Sequence, residues 1–140
     1  MYCRCFLVVV WIVACLICQF FFLPLACAVG NEAEESFQEF NRKWMDGLYT
    51  REEKNKKNLT CKKVKDYYCA EYTGYSRTYS STIKKIDSKE TPYIGMLNYH
   101  EKKFESRADT FEKALSGPFN PVYEYPVTEI FSFTNGEWTY

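Results

Sequence analysis

The chain has a single histidine, His100, and it has no glycine-rich phosphate loop and, after the apolar leader, no CxxC pair. A catalytic triad or a histidine-based metal centre needs several such groups at one place, and a nucleotide site usually needs a glycine-rich cradle. We therefore interpret His100 as a solvated or edge residue. The sequence predicts no metal site and no cofactor, and it favours a protein that is not an enzyme.

An excess of charge of one sign is also absent. Lysine and arginine total 18 residues, aspartate and glutamate also total 18, and the formal net charge is zero. Such a balance gives no global attraction to nucleic acid or to acidic lipid, so no nucleic-acid partner is expected. The basic segment 51–65 is interpreted as an exposed, solvated connection, with a patch for nucleic acid or an anionic surface as the alternative. Within it, Asn58-Leu59-Thr60 is a glycosylation sequon, which acts only in a eukaryotic secretory pathway.

The N-terminal segment, in contrast, is strongly apolar and has the layout of a secretory signal peptide. Arg4 precedes an apolar run over residues 6–18, and the Ala26-Cys27-Ala28 triplet supplies the small residues that signal peptidase requires. These features predict cleavage after Ala28. Residues 1–28 would then be the signal peptide, and residues 29–140 would be a single small domain that is secreted or periplasmic.

Two other interpretations use the same leader. Residues 5–29 are long enough to span a bilayer uncleaved, and the charges on either side would place the C-terminal domain outside. The segment Leu23–Cys27 resembles a bacterial lipobox, in which Cys27 would be lipidated, but Pro24 stands where leucine is usual. In both cases the protein would be an anchored accessory subunit that meets the membrane only through its N-terminal segment.

Five of the seven cysteines lie in or beside the leader, which leaves Cys61 and Cys69 in the folded part. One cysteine pair in an exported domain predicts one disulfide. An unbroken strand would hold residues eight positions apart at about 26 Å, whereas a disulfide needs Cα atoms within about 7 Å. The disulfide therefore requires the chain to turn back over residues 64–67.

The mature part is predicted to be α+β, with an N-terminal amphipathic helix packed on an antiparallel sheet of four to five strands. Apolar residues recur at helical spacing over residues 37–48, and the helix is predicted to end near Gly47. Alternating patterns from Tyr67 onward predict strands, and Asn135-Gly136 predicts a type I′ hairpin. Residues 109–116 are predicted to form one short helical insertion. This order broadly resembles cystatin-like and nuclear-transport-factor-like helix-on-sheet folds, in architecture alone, since no motif of either family is present.

The abundance of tyrosine is the most unusual feature of the predicted sheet. Its side chain offers rigid, amphipathic contact area and is enriched at binding surfaces. The residues selected as a binding face are Tyr72, Tyr75, Tyr79 and Tyr93. Such a face would bind a protein, a peptide or a glycan, whereas the plainer interpretation is cross-strand packing with the hydroxyl groups at the rim.

Three functional hypotheses follow from these patterns. The first is a small exported domain that is not an enzyme and works by binding outside the cytoplasm. The second is a membrane-tethered or lipid-anchored accessory subunit that docks through the helix over residues 34–48. The third is a small hydrolase with a pair of carboxylates around Glu101 and Glu129, in a cleft between sheet and helix.

Overall fold

The computed structural model describes residues 26–140, with side chains described from Glu32 onward. The predictions on the leader, including cleavage after Ala28 and lipidation of Cys27, lie outside the described side chains. No helix in the described part is long and apolar enough to cross a membrane. Residues Ala33–Tyr140 form one compact unit.

The chain folds into an α+β structure around a curled antiparallel sheet, as the sequence predicts. In chain order the elements are α1 (Ala26–Lys57), β1 (Thr60–Val64), β2 (Tyr67–Tyr75), β3 (Ser80–Lys85), β4 (Tyr93–Ala108), α2 (Phe111–Ser116), β5 (Asn120–Thr134) and β6 (Glu137–Thr139). The sheet of the described part has six strands instead of the four to five expected. The additional strand is β1, which lies in the segment that the sequence presents as a basic loop.

Strand β4 is the centre of the sheet, whose order is β1-β2-β4-β5-β6, with β3 also paired to β4. Strand β2 pairs with the C-terminal half of β4, and β3 pairs with its N-terminal half. Ser76 joins the two pairings, because its N–H donates to the His100 carbonyl at 2.8 Å and its Oγ accepts from the His100 N–H at 2.9 Å. Strands β2 and β3 therefore follow one edge of β4 as a single interrupted strand.

Helix α1 continues ten residues beyond Gly47, where the sequence predicts its end. Glycine in a helix interior costs only about 1 kcal/mol, which tertiary contacts readily offset. The buried carboxylate of Glu52 supplies such contacts, since it accepts from the Tyr75 N–H at 3.0 Å and from Arg77 at 2.9 Å. Asn55 adds a bond of 2.8 Å to the carbonyl of Thr73. These bonds fix the last turns of α1 to the end of β2.

The core lies between α1 and one face of the sheet. The Phe37 ring lies so close to Gly95 that a Cβ added there would fall 2.3 Å from the Phe37 Cζ atom. Around it, Phe131 is fully buried, and the ring centroid of Trp138 is 4.3 Å away. The Trp138 Nε1 also donates to Ser36 Oγ at 3.1 Å. Glycine on β4 therefore creates the space that lets this aromatic group pack against the strand.

Local turn signals account for two smaller elements. Thr110 caps α2, because its Oγ1 accepts from the Lys113 N–H at 3.3 Å. Asn135 and Gly136 have φ values of 54° and 83°, and a type I′ turn requires positive φ at both of its central residues. The short helical insertion and the last hairpin are thus formed where the sequence places them.

The predicted Cys61–Cys69 disulfide is wrong. The chain does turn back, but the register pairs Cys61 with Ala70 and pairs Cys69 with Lys62. Because neighbouring residues of a strand point to opposite faces, this one-residue offset directs the two thiols to opposite sides of the hairpin. Both thiols are free, with Cys61 half-buried and Cys69 buried.

Candidate functional site

A cleft of about 410 Å³ opens between α1 and the face of the sheet that α1 packs on. We call it the helix–sheet cleft. Its helical wall is formed by Lys43, Trp44, Gly47, Leu48 and Arg51, and its sheet wall by Tyr75, Tyr99, Glu101, Val127 and Glu129. The volume lies within the range of about 300–1,000 Å³ that is usual for small-molecule sites.

Strand register brings the sheet wall together. Tyr75 on β2 lies opposite Glu101 on β4, and Tyr99 lies opposite Val127 on β5. Glu129 lies two residues further along β5. Because alternate residues of a strand share a face, all five side chains point toward α1. The sequence shows this alternation within each strand but not the pairing between strands, so it could not assemble the wall.

Glu129 and Tyr99 form the best-defined polar contact of the helix–sheet cleft. The Tyr99 hydroxyl donates to Glu129 Oε1 at 3.0 Å, and Tyr99 is only 5% exposed. Burial raises the pKa of Tyr99, and the hydrogen bond to the Glu129 carboxylate raises it further. Tyr99 therefore remains a protonated donor at neutral pH and holds the carboxylate of Glu129 in place.

Charges of opposite sign line the helix–sheet cleft without an ion-pair partner in the described part of the chain. Glu101 is half-buried on the sheet wall, and Arg51 is exposed on the helical wall. Among the side chains described, neither residue has an oppositely charged group within 4.0 Å. Lys43, the other basic residue of the helical wall, pairs with Glu39 at 3.4 Å. Glu129 also lacks an ion pair there, but its carboxylate accepts the Tyr99 hydroxyl, so Glu101 and Arg51 are the opposite charges of the cleft without a polar partner among the described side chains.

Unpartnered polar atoms also occur on the buried side of α1. The Trp44 Nε1 is buried and donates to no acceptor in the described part of the chain. One turn earlier, Asn41 is fully buried, and both polar atoms of its amide lack a partner there. Residues three apart on a helix are neighbours, so these groups lie on the same side of α1. Buried polar atoms without partners are few in folded proteins and are costly to maintain.

The four tyrosines selected from the sequence do not form one exposed face. Tyr75 and Tyr93 are buried in the core, and only Tyr75 reaches the helix–sheet cleft. Tyr72 points to the other face of β2, where its ring stacks on Phe104 with a centroid distance of 4.8 Å. Tyr79 is 41% exposed, in the segment between β2 and β3.

The most exposed tyrosine pair lies on β5 instead. Tyr123 and Tyr125 are 57% and 52% exposed, and their rings stack with a centroid distance of 6.1 Å. The sequence predicts an irregular or edge-like segment between Pro121 and Pro126. In the structure this segment instead lies in the first half of β5. Nearby, His100 is exposed, with its Nδ1 3.8 Å from a carboxylate oxygen of Glu124.

Strands β2 and β4 also carry a polar cluster of Cys69, Glu71 and Glu105, whose ligand atoms lie within 4.8 Å of one another. Both carboxylates already bind cations, since Glu105 contacts Arg107 at 2.7 Å and Glu71 contacts Lys103 at 2.9 Å. These bonds lower the pKa of each carboxyl group. Burial and the charge of Glu105 raise the pKa of the Cys69 thiol. The cluster is therefore an ion-pair network around a protonated thiol.

The apolar stripe of α1 is used within the domain. The rings of Phe40 and Trp44 lie edge-on to Phe131 of β5, at centroid distances of 4.7 Å and 4.9 Å. Trp44 also stacks on Tyr140 at 5.8 Å. A partner that docked on this stripe would have to displace these contacts.

No protein-family model, curated protein or solved structure matches this chain. The functional argument therefore rests on the residues of the helix–sheet cleft themselves.

Proposed function

We propose that this chain is a binding module, not an enzyme, which acts outside the cytoplasm and takes a small zwitterionic ligand of amino-acid or short-peptide chemistry. The ligand would lie in the helix–sheet cleft, with α1 packed on the sheet as one of its walls. The observation that carries the proposal is the pair of unmatched opposite charges, Glu101 and Arg51, on the two walls of one cleft. The apolar leader supports the location outside the cytoplasm.

The sheet wall suits an ammonium group. A half-buried carboxylate loses hydration, and this loss is offset when a cation binds to it. Glu101 has no such cation among the described residues, and aromatic rings of Trp44, Tyr75 and Tyr99 line the same cleft. Aromatic faces attract cations by about 0.5–2 kcal/mol, which adds to the attraction of the carboxylate. A ligand ammonium at Glu101 would gain from both effects.

The helical wall suits a carboxylate. Arg51 presents a planar guanidinium group, which binds carboxylates through two parallel hydrogen bonds. Its side chain is exposed and can adjust to the length of the ligand. A ligand with an ammonium group at one end and a carboxylate at the other would match both walls at once. A ligand with only one of these groups would leave one wall unmatched.

The aromatic residues of the cleft favour an apolar side chain on the ligand. Trp44, Leu48 and Val127 supply apolar lining. An aromatic amino acid such as phenylalanine combines both charges with a ring that can stack on these residues. We therefore use phenylalanine and the dipeptide alanylphenylalanine as probes.

The test is a calorimetric titration of the full chain with matched ligands. Phenylalanine carries both charges, N-acetylphenylalanine lacks the ammonium group, and phenylalanine amide lacks the carboxylate. The proposal predicts binding of phenylalanine or its dipeptide with a Kd of about 1 mM or below, and at least about tenfold weaker binding of both blocked forms. Equal affinity for all three forms of phenylalanine would contradict a zwitterion site.

A carboxylate-dependent hydrolase is the second candidate, because Glu101 and Glu129 line the same cleft. The register places them four residues apart along the strands, which separates their Cα atoms by about 13 Å or more. Glycosidase carboxyl groups are about 5–9.5 Å apart, so these two side chains would have to lean toward each other. Hydrolysis of a chromogenic glycoside that Glu101→Gln and Glu129→Gln both abolish would support this candidate.

A further inference from the structure

The sequon at the end of α1 lies on an exposed corner of the fold. Asn58-Leu59-Thr60 is the only Asn-x-Ser/Thr triplet of the chain, and its middle residue is not proline. Helix α1 ends at Lys57 and β1 begins at Thr60, so the triplet forms the connection between them. Asn58 and Thr60 are both exposed, as an acceptor asparagine and its hydroxyl residue must be.

A polar groove of about 200 Å³ begins at the same corner. The sequon lines it through Asn58 and Thr60. The other lining residues are Asn55, Glu71, Tyr72, Thr73 and Lys103. It shares no residue with the helix–sheet cleft. Its hydroxyl and amide groups, together with the Glu71–Lys103 ion pair at 2.9 Å, are groups that bind the hydroxyl groups of a sugar.

We propose that Asn58 carries an N-linked glycan whose first sugar residue lies in this groove. In the transfer step, the Asn58 Nδ2 attacks the anomeric carbon of an oligosaccharide linked to a lipid diphosphate. The new C–N bond forms as the bond from that carbon to the diphosphate oxygen breaks. The lipid diphosphate leaves, and the amide gives up one proton.

The geometry at Asn58 tolerates this change. Its Nδ2 donates to the Lys54 carbonyl at 2.9 Å, and the same carbonyl also accepts the Asn58 backbone N–H at 3.1 Å. A glycosylated amide keeps one N–H, so this hydrogen bond can persist. A covalently attached sugar also has a high effective concentration at the groove, so weak polar contacts are enough to hold it there.

The attachment is tested by expressing the full chain, with its own leader, in eukaryotic cells and mapping the Asn58 peptide by mass spectrometry. The expected result is a glycan on the wild type and on Thr60→Ser, which keeps the sequon. Thr60→Val and Asn58→Gln, which remove the sequon, should carry none. Unmodified Asn58 in the recovered wild-type chain would overturn the proposal, whichever ligand the helix–sheet cleft binds.

The place of the first sugar is tested on the same glycoprotein. Enzymatic trimming to a single N-acetylglucosamine should preserve any gain in Tm, whereas complete removal, which leaves aspartate at position 58, should abolish it. The variant Asn58→Asp is the matched control for the bare protein. Equal Tm values for the single-sugar form and the bare form would overturn the placement in the groove.

Discussion

The hydroxyl of Tyr99 donates to the carboxylate of Glu129 across the β4–β5 pair at 3.0 Å, inside the helix–sheet cleft. The contact joins one of the least exposed tyrosines of the described chain to a half-buried carboxylate. Because it fixes the carboxylate of Glu129, Glu101 is left as the anion of the sheet wall that has no partner. We expect the stability of the fold at high pH to depend on this contact, and the proposed ligand would meet Glu101.

The first prediction concerns Tyr99 and alkaline pH. Its pKa is raised in the folded state, by burial first and by Glu129 second. Below about pH 10, Tyr99 is protonated in both states and its contribution to stability is complete. Above that value the unfolded chain loses the proton while the folded chain keeps it, so the free energy of unfolding falls.

Urea unfolding between about pH 8 and about pH 11 checks this prediction with the variant Tyr99→Phe. At the lower pH the variant should be less stable by about 1 kcal/mol, because it loses the hydrogen bond to Glu129. At the higher pH the difference should shrink, because phenylalanine has no proton to lose. If the free energies of unfolding of the wild type and of Tyr99→Phe differ by the same amount at every pH in this range, the raised pKa of Tyr99 is contradicted.

The second prediction concerns the contact between Phe37 and Gly95. A methyl group at Gly95 would overlap the Phe37 ring, which is itself enclosed by Phe131 and Trp138. Gly95→Ala should therefore lower the free energy of unfolding by about 1–3 kcal/mol. Gly47→Ala is the control, because a methyl group there meets nothing within 4 Å, and it should stabilise α1 by about 0.5–1 kcal/mol. Equal effects of the two substitutions would refute the close contact.

The third prediction concerns Glu52, which fixes the end of α1 to β2. Glu52→Gln removes the charge that binds Arg77 and Lys56, and it weakens the acceptor of the Tyr75 N–H. The cost should be about 1–3 kcal/mol, because these groups meet at a buried carboxylate. The adjacent Glu53 also binds Lys56 but is exposed, so Glu53→Gln should change stability by less than about 0.5 kcal/mol. Thermal unfolding of the two variants side by side provides the measurement.

The fourth prediction separates stability from function at Asn41. An amide that is buried without partners costs about 1–3 kcal/mol, so Asn41→Leu, of similar volume, should raise the free energy of unfolding. Because Asn41 is fully buried and does not line the helix–sheet cleft, the same variant should bind phenylalanine as tightly as the wild type does. A variant that is less stable than the wild type would show that Asn41 has partners in the folded protein.

The sequence predicts the elements better than it predicts their ends. Hydrophobic spacing identifies α1, and turn residues identify α2 and the Asn135–Gly136 hairpin, because these signals are local. The continuation of α1 past Gly47 depends on Glu52 meeting β2, and no local pattern reveals that contact. The sequence does not predict strand β1 for a similar reason. Its exposed lysines are typical of a loop, and only the pairing with β2 makes this segment a strand.

The candidate site was predictable only in part. Glu101 and Glu129 both line the helix–sheet cleft, while the hydrolase hypothesis built on them stays a prediction. The exposure of the tyrosines was not predictable, because it depends on which face of the sheet α1 covers. The predicted Cys61–Cys69 disulfide is wrong because of the register between β1 and β2. A register shifted by one residue would place both thiols on the same face.

The most direct test of the central claim is a calorimetric titration of phenylalanine into the wild type, Glu101→Gln and Arg51→Gln. The account predicts that each variant binds at least about tenfold more weakly than the wild type, a loss of about 1.4 kcal/mol. It also predicts that Glu101→Gln leaves the affinity for N-acetylphenylalanine unchanged, because that probe has no ammonium group. If both variants bind phenylalanine as the wild type does, the two charges do not recognise the ligand and the zwitterion site is refuted.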